Sequence, residues 1–307
     1  MRRAITGVVL LDKPWGVSSN HALQRVRRLF GALKAGHTGT LDPHATGLLP
    51  LCLGEATKYS GWILEAPKSY HAVLRLGMTS STGDGEGELK VGKPFQGTRD
   101  NLEEILRQFL GPQTQVPPMH SALKVAGKAL YLHARAGQDI ERQPRFIEIS
   151  TLKLTSWEEQ QLEIHVTVSK GTYIRVLAQD IGAALGCGAY LAGLRRTGTG
   201  PFVLAQAVTL EQLESMTLEQ REQRLQPLDT LLAGVPRLDL DSTAARALIQ
   251  GREIPWVGAM TGDLLRVYGN GTFHGLVRFD VATAHLVPVR MMGENRIGLP
   301  MMESLPL

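Results

Sequence analysis

The spacing of apolar residues divides the chain into short strands and helices. Alternating or continuous apolar runs of four to eight residues indicate strands, whereas apolar residues three or four apart indicate one buried face of a helix. The two patterns are interleaved along most of the sequence. They predict strands at 5–11, 70–76, 146–154 and 162–168, and helices at about 19–30, 101–110, 129–136 and 173–185.

Two of these helices have recognisable starts. Ser18 or Ser19 can cap the first one, and Thr172 is the predicted cap of the helix that contains Ile174. Tyr173 and Arg175 would then lie in the first helical turn, beside the positive end of the helix dipole. An arginine there is unfavourable by itself, so we expect an acidic partner for it.

The last part of the chain has a pattern of its own. Gly234-Val235-Pro236 is the best candidate for a linker, and it precedes a predicted helix at 243–250. Strands follow near 264–268, 272–279 and 286–291. This pattern is typical of a small β barrel.

Composition fits a globular protein of 307 residues, 43% of them hydrophobic. No apolar run is long enough for a membrane span, and the N-terminal run is too short for a signal peptide, so the cytoplasm is the expected compartment. Cys52 and Cys187 are the only cysteines. Neither they nor the histidines have metal-ligand spacing, and we expect no metal.

Positive charge is concentrated near the N-terminus. Residues 1–60 hold eight Lys or Arg and three acids, within a chain of net charge +4. Residues 116–145 lose regular periodicity and are also basic. Both features suit an anionic partner, although an ordinary solvated basic surface would look the same.

Asp42 is the only carboxylate between Lys13 and Gly54. It lies in a stretch rich in small residues, 36–50, which is predicted to be a loop. An Asp-Pro pair commonly marks a turn or a helix start. Alternatively, the glycines let the backbone bend around a ligand while Asp42 points into a site.

Five segments of the chain form a set of motifs, one of which surrounds Asp42. They are Leu11-Asp12-Lys13-Pro14, Gly36-His37-Thr38-Gly39-Thr40-Leu41-Asp42-Pro43 with Ala45-Thr46-Gly47, Lys68-Ser69-Tyr70, Ser169-Lys170-Gly171-Thr172-Tyr173-Ile174-Arg175 and Leu194-Arg195-Arg196-Thr197. In this order the motifs resemble those of the TruB family, the bacterial tRNA pseudouridine-55 synthases. The segment around Asp42 resembles the active-site motif of that family.

The resemblance implies an α+β catalytic domain built on an antiparallel or mixed sheet, over residues 1–235. It also implies a thumb-like insertion that clasps RNA at about 116–145. Residues 236–307 would form a small PUA-like β barrel that binds RNA. The expected partner is the T stem-loop of tRNA, with no cofactor and a monomeric enzyme.

The same resemblance assigns roles to single residues. Asp42 matches the catalytic aspartate and Arg175 its partner, which would keep the acid ionised. Tyr70 would lie against the uracil and is a possible proton carrier. Tyr173 would orient the pocket.

Further matches concern binding rather than chemistry. His37 resembles the histidine that fills the gap left by a flipped base, and Leu194 a backbone contact to the nucleotide. Lys13 and Pro14 would support the pocket from below. Contacts to the RNA backbone are expected from the insertion, through Lys124, Lys128 and Arg142.

Two other classes of function stay open at this point. One is an RNA-binding, tRNA-folding protein without catalysis. The other is a metabolic enzyme with a phosphate cradle at 36–47, which the absence of the usual phosphate-binding motifs disfavours. The sequence also departs from the family pattern at His44, where leucine is common, and over 79–84.

Overall fold

The computed structural model describes residues 2–121, 123–125, 127–258 and 262–293. The end of the expected C-terminal domain, 294–307, lies outside the described residues. Within them the strands are β1 Gly7–Lys13, β2 Ala35–His37, β3 Ala45–Leu53, β4 Lys68–Leu76, β5 Met78–Ser80, β6 Leu89–Val91, β7 Gly111–Gln115, β8 Lys124–Val125, β9 Lys128–Ala129, β10 Arg145–Glu158, β11 Gln161–Val168, β12 Ala189–Thr199, β13 Phe202–Val203, β14 Val208–Thr209, β15 Arg237–Leu240, β16 Ile254–Pro255, β17 Leu264–Gly269, β18 Thr272–Asp280 and β19 His285–Met291. The helices are α1 Ser19–Leu29, α2 Ser60–Glu65, α3 Arg99–Gln108, α4 Leu130–Arg135, α5 Ile174–Ala184, α6 Leu210–Ser215, α7 Leu218–Glu222 and α8 Ser242–Ile249.

A large mixed sheet forms the centre of the fold. Its strand order is β14-β1-β3-β12-β4-β11-β10-β7, with β2 paired to β3 and β13 to β12. Strands β3 and β12 run parallel, whereas β1 with β3 and β12 with β4 are antiparallel. The prediction of a mixed α+β fold is confirmed.

Two hydrophobic cores cover one face of this sheet. One packs α1 and α6 against β1 and β3, and the other packs α3 and α5 against β4, β10 and β11. Alternate residues of β1 and β3, such as Leu10 and Leu48, point to a third core on the opposite face. Tyr70 and Leu194 pack against both of the first two cores. The seam between those cores therefore crosses the middle of the sheet.

A second sheet follows the predicted linker, in the order β15-β17-β18-β19-β16. It contains the predicted strands and is accompanied by α8, as the pattern of the last part of the chain indicated. The linker itself is fixed, because Val235 and Pro236 both accept hydrogen bonds from Arg266. Leu276 and Met292 also belong to the third core together with Val8 and Leu10. The two sheets thus share a hydrophobic core.

The loop predicted over residues 36–50 is wrong in part. Its first residues belong to β2, and Ala45–Leu53 is β3, a central strand. The run Leu48–Leu53 is buried throughout, as in strands covered on both faces. Gly47 and Pro50 concealed this strand, because both residues are usually turn signals. The remaining loop spans 38–44.

The predicted start of α5 is also wrong. Tyr173 occupies the N-cap position, without a side-chain cap, and the helix begins at Ile174. The Thr172 hydroxyl instead donates to Ser169 O at 3.0 Å, which fixes the preceding turn. Arg175 is still in the first turn. The prediction for α1 is confirmed, since Ser18 accepts a hydrogen bond from His21 N.

Gly47 is expected to tolerate no side chain. Its φ is +99°, and a Cβ there would lie 2.3 Å from the carbonyl oxygen of Arg196 on the neighbouring strand. Gly47→Ala should lower the free energy of unfolding by at least about 3 kcal/mol, from backbone strain and overpacking together. Urea denaturation measures the change. Gly171→Ala is the matched control, because its φ is +78° with open space around it. Equal losses in the two variants would contradict the packing argument.

Within the described ranges, no helix has the length and apolar character needed to cross a membrane.

Candidate active site

A row of paired residues crosses the four central strands below the 38–44 loop. Lys13 of β1 pairs with Gly47 of β3, Gly47 with Arg196 of β12, and Arg196 with Tyr70 of β4. Residues from four distant motifs are therefore neighbours on the sheet. Because Gly47 has no side chain, the backbones of β3 and β12 approach closely at this point.

Asp42 lies in the loop above this row. Ser19 fixes the loop, since its Oγ accepts from Leu41 N and donates to Leu41 O, both at 2.8 Å. Asp42 O accepts from Ala45 N at 3.1 Å, which makes Asp42 the first residue of a turn. A strand follows the turn, so the interpretation of Asp42-Pro43 as a helix start is wrong. The carboxylate is 52% exposed and available to a ligand.

Arg175 makes the contacts with acidic residues that its position at the start of a helix requires. Its Nη2 lies 3.2 Å from Asp42 Oδ2, and its Nη1 lies 3.3 Å from Asp84 Oδ2. It also donates to Thr82 O at 3.4 Å and to His120 O at 2.7 Å. The arginine side chain is only 8% exposed. A nearly buried guanidinium therefore joins the aspartate loop, residues 82–84 and the beginning of the 116–145 insertion.

Asp84 was not predicted as a partner of Arg175. The position of Arg175 at the start of α5 predicts a compensating acid, and the resemblance to the TruB family supplies Asp42 as that acid. Asp84 lies in the stretch 79–84 that departs from the family pattern. It accepts from the Thr82 hydroxyl at 2.5 Å, and its side chain is 19% exposed.

Tyr70 and Leu194 lie at the seam between the two cores. Both are half-buried, so each keeps part of its surface exposed. Tyr173 is fixed through its backbone: its N–H donates to Gln115 Oε1 at 2.7 Å, and its carbonyl accepts from Gln115 Nε2 at 3.1 Å. Gln115 is buried and was not predicted from the sequence. Asp42, Arg175, Tyr70, Tyr173 and Leu194 thus come from elements that meet at this seam.

Lys13 is fully buried beside the loop. Its ammonium donates to the carbonyl oxygens of Pro14, Val17 and Pro43, at 3.0, 2.6 and 3.2 Å. Burial lowers the pKa of Lys13 to about 8, and nearby Asp42 acts in the opposite direction. Support of the pocket by Lys13 and Pro14 stays a prediction. The lysine holds the backbone on both sides of the site.

The lowered pKa of Lys13 predicts a dependence of stability on pH. Between pH 8 and the ordinary lysine pKa of 10.5, the unfolded chain binds more protons at this position than the folded chain. The free energy of unfolding should therefore rise with pH across this window and stay level below it. We expect wild type to gain roughly 1–3 kcal/mol relative to Lys13→Met between pH 7.5 and 10.5. Urea denaturation at fixed pH measures this, and parallel pH profiles would contradict it.

His37 ends β2 and is partly buried. Burial lowers its pKa, and Arg196 lowers it further. Its Nδ1 is enclosed and has no hydrogen-bond partner within the described part of the chain. The ring is therefore neutral at pH 7 and has an unused polar atom.

Arg196 belongs to one of the motifs that resemble the TruB family, but its role could not be predicted from the sequence. It is 1% exposed, donates from Nε to Leu48 O at 2.6 Å and from Nη2 to Gly39 O at 3.3 Å. It therefore ties the aspartate loop to β3 from below. Its charge adds to those of Lys13 and Arg175 around the single carboxylate of the loop.

The residues expected to contact RNA phosphates differ in their exposure to solvent. Lys124 and Lys128 are exposed on the small hairpin β8–β9. The Arg142 side chain is only 24% exposed and contacts Asp139 at 3.3 Å. The short helix predicted in the insertion is present as α4. Among the described residues, no group of three or more His, Cys, Asp or Glu could hold a metal ion.

Comparison with protein families and known proteins shows which proteins this chain is similar to. Residues 27–174 match the N-terminal domain of the TruB family pseudouridylate synthases, and residues 175–235 match the tRNA pseudouridylate synthase B C-terminal domain. A relative named tRNA pseudouridine synthase B from Methylobacillus flagellatus is 51% identical over 277 residues, which are 90% of this chain and 92% of the relative. A protein of the same name from Nitrosospira multiformis is 54% identical over 260 residues, 83% of each chain.

Solved structures resemble this fold over most of its length. A chain of a Cbf5-Nop10-Gar1 complex has a TM-score of 0.71 and 26% identity, and the match covers 94% of this chain and 86% of that one. A chain of an H/ACA ribonucleoprotein bound to a substrate RNA containing 2′-deoxyuridine has a TM-score of 0.66 and 25% identity, over 89% and 77% of the two chains.

Fold and comparisons together define a pseudouridine synthase, which is an isomerase. Within that class, the chain belongs to the TruB family.

Proposed function

We propose that this protein converts uridine 55 in the T loop of tRNA to pseudouridine, with Asp42 as the catalytic residue. The observation that carries the proposal is the ion pair of Asp42 with the nearly buried Arg175, at the seam where Tyr70 and Leu194 lie. The relatives named tRNA pseudouridine synthase B support tRNA as the substrate.

The reaction rearranges one nucleotide without adding atoms from outside. The bond from N1 to the ribose C1′ breaks, the uracil turns, C5 bonds to C1′, and the C5 proton moves to N1 in net terms. An ionised carboxylate has to engage the ribose or the base, and Asp42 is half-exposed for that purpose. Arg175 holds the Asp42 carboxylate in place through their ion pair. Tyr70 lies against the uracil and is the candidate carrier of the C5 proton.

Access to the site requires the target base to leave its stack. In the proposed complex His37 fills the space that the uridine vacates, while its neutral ring adds no repulsion between cations. Leu194 contacts the nucleotide through its backbone, and Tyr173, held by Gln115, orients the pocket. Lys13 and Pro14 support the loop from below.

The remainder of the chain is proposed to hold the RNA. Residues 116–145 act as a clasp, and residues 236–307 as a PUA-like module beside a catalytic domain of residues 1–235. The contact between Arg175 and His120 O connects the clasp to the catalytic pair. The enzyme is proposed to act as a cytoplasmic monomer without a cofactor.

Binding should weaken with salt in proportion to the phosphates that the clasp contacts. Lys124→Ala and Lys128→Ala should each flatten the slope of log affinity against log salt by at most about one unit. Arg142→Ala should have a smaller effect, since its guanidinium contacts Asp139. Lys153→Ala, an exposed lysine of β10, is the control. Filter binding at several salt concentrations measures the slopes, and unchanged slopes in both lysine variants would remove the clasp from the interface.

An assay on transcribed tRNA tests the proposed function. The purified protein should form pseudouridine at position 55 of an unmodified transcript and none in a transcript with cytidine at that position. Mapping with a carbodiimide that marks pseudouridine for primer extension provides the readout. Binding without any conversion would instead support a tRNA-folding protein.

A further inference from the structure

A pair of stacked aromatic rings stands beside the 38–44 loop and has no part in the chemistry proposed above. The indole of Trp15 lies against the imidazole of His44, with ring centroids 4.6 Å apart and 5° between the ring planes. Trp15 is nevertheless 66% exposed. His44 covers one face of the indole, so most of the remaining surface meets solvent.

Hydrogen bonds fix the pair on both sides. Gly16 N, the next residue after Trp15, donates to Pro43 O at 2.9 Å, and the Lys13 ammonium donates to the same oxygen at 3.2 Å. On the other side, His44 Nδ1 lies 2.7 Å from Glu86 Oε1. The backbone next to Trp15 and the His44 ring that stacks on its indole are therefore both fixed by hydrogen bonds.

The stacked pair lies close to Asp42 along the chain. His44 follows Asp42 by two residues, so their Cα atoms are at most about 7.6 Å apart. The indole lies one stacking distance beyond the His44 ring. A nucleotide attached to the one held at Asp42 can therefore reach the indole.

We propose that the exposed face of Trp15 stacks on an unpaired base of the RNA loop adjacent to the uridine in the site. This inference rests on the proposed function. An RNA base is the occupant that the surroundings favour, because a nucleotide held at Asp42 is covalently joined to further nucleotides within reach. Every base has a π face, so an aromatic side chain can stack on whichever base occupies the position.

Binding to the T stem-loop tests the proposal, with Asp42→Asn as the background so that no turnover occurs. Adding Trp15→Ala should raise Kd about five- to a hundredfold, the usual effect of removing one stacked base contact. Trp15→Phe keeps an aromatic face and should stay within about threefold of the background. Leu218→Ala, which truncates an exposed apolar residue on α7, should leave Kd unchanged. Equal affinities of the alanine and phenylalanine variants would overturn the proposal.

Abasic substitutions identify the stacked base. Each unpaired loop nucleotide other than the target is replaced in turn by an abasic residue. At one position the effect of Trp15→Ala should fall to within about twofold, because the contact is already lost. If Trp15→Ala lowers the affinity for every abasic RNA by the same factor, Trp15 has a structural role and the proposal is overturned.

Two further readouts separate this inference from the proposed function. Stacking should quench part of the tryptophan emission on RNA binding, and that part should be missing in Trp15→Phe. In the Asp42-containing enzyme, Trp15→Ala should raise KM more than it lowers kcat. A wild-type protein that forms no pseudouridine would contradict the proposed function, whereas an active protein with an unquenched Trp15 would contradict only the stacking contact.

Discussion

Asp42→Asn is expected to lower the rate of pseudouridine formation by at least about a thousandfold, which corresponds to roughly 4 kcal/mol of barrier. Asparagine has nearly the same shape but no ionised oxygen. The loop should survive the change, because Ser19, Lys13 and Arg196 hold its backbone rather than the Asp42 side chain. Release of tritium from tRNA labelled at uridine C5 measures single-turnover rates, and circular dichroism and RNA binding show that the variant is folded.

Asp241→Asn is the matched control for that experiment. Asp241 is a true helix cap, since its Oδ1 accepts from Thr243 N and Ala244 N at 2.8 and 2.9 Å. Asparagine caps a helix about as well as aspartate, so this change should be almost silent. If Asp42 were only a structural turn residue, both variants would behave alike. A folded Asp42→Asn protein with near-normal turnover would therefore refute the catalytic assignment.

Arg175→Lys is expected to lower turnover by about a hundredfold or more. The guanidinium contacts four acceptors in different directions, two of them carboxylates. A single ammonium cannot reproduce that planar arrangement, so Asp42 would lose its fixed partner. Because Arg175 is almost buried, we also expect a measurable loss of thermal stability. Steady-state kinetics and thermal denaturation provide the two readouts.

The controls for Arg175 separate a specific role from the general loss of an arginine. Arg237→Lys removes a two-pronged contact with Asp239 on the second sheet, and turnover should stay within about twofold. If Arg175 acts through Asp42, the double variant Asp42→Asn, Arg175→Lys should be no slower than Asp42→Asn alone. If the losses of rate from the two single changes multiply in the double variant, the two residues act independently and the shared role is contradicted.

Local patterns in the sequence predicted much of the fold. Strands β4 and β11, helices α1 and α3 and strands β17, β18 and β19 of the second sheet each have regular apolar spacing, which is the feature that burial on one face produces. Strands β3 and β12 were missed. β3 contains Gly47 and Pro50, and β12 contains Gly193 and Gly198, so turn-forming residues concealed two of the central strands.

Only part of the site could be predicted from the sequence, although several of its motifs are recognisable. The pairing of Asp42 with Arg175 was expected from the resemblance and from the unfavourable position of an arginine at a helix start. Asp84, Gln115 and Arg196 were missed because their roles depend on contacts between distant segments. A buried arginine on β12 that bonds to Gly39 O has no local signature, since the sequence shows neither burial nor the direction of a side chain.

We propose that Asp42, held by Arg175, makes pseudouridine 55 in tRNA. The most direct test of this claim is to map pseudouridine in tRNA from cells that lack this protein and then receive either the wild-type chain or Asp42→Asn at equal abundance. Pseudouridine 55 should be absent without the protein, return with the wild-type chain and stay absent with Asp42→Asn. Restoration of pseudouridine 55 by Asp42→Asn, or its persistence in cells without the protein, would contradict the claim.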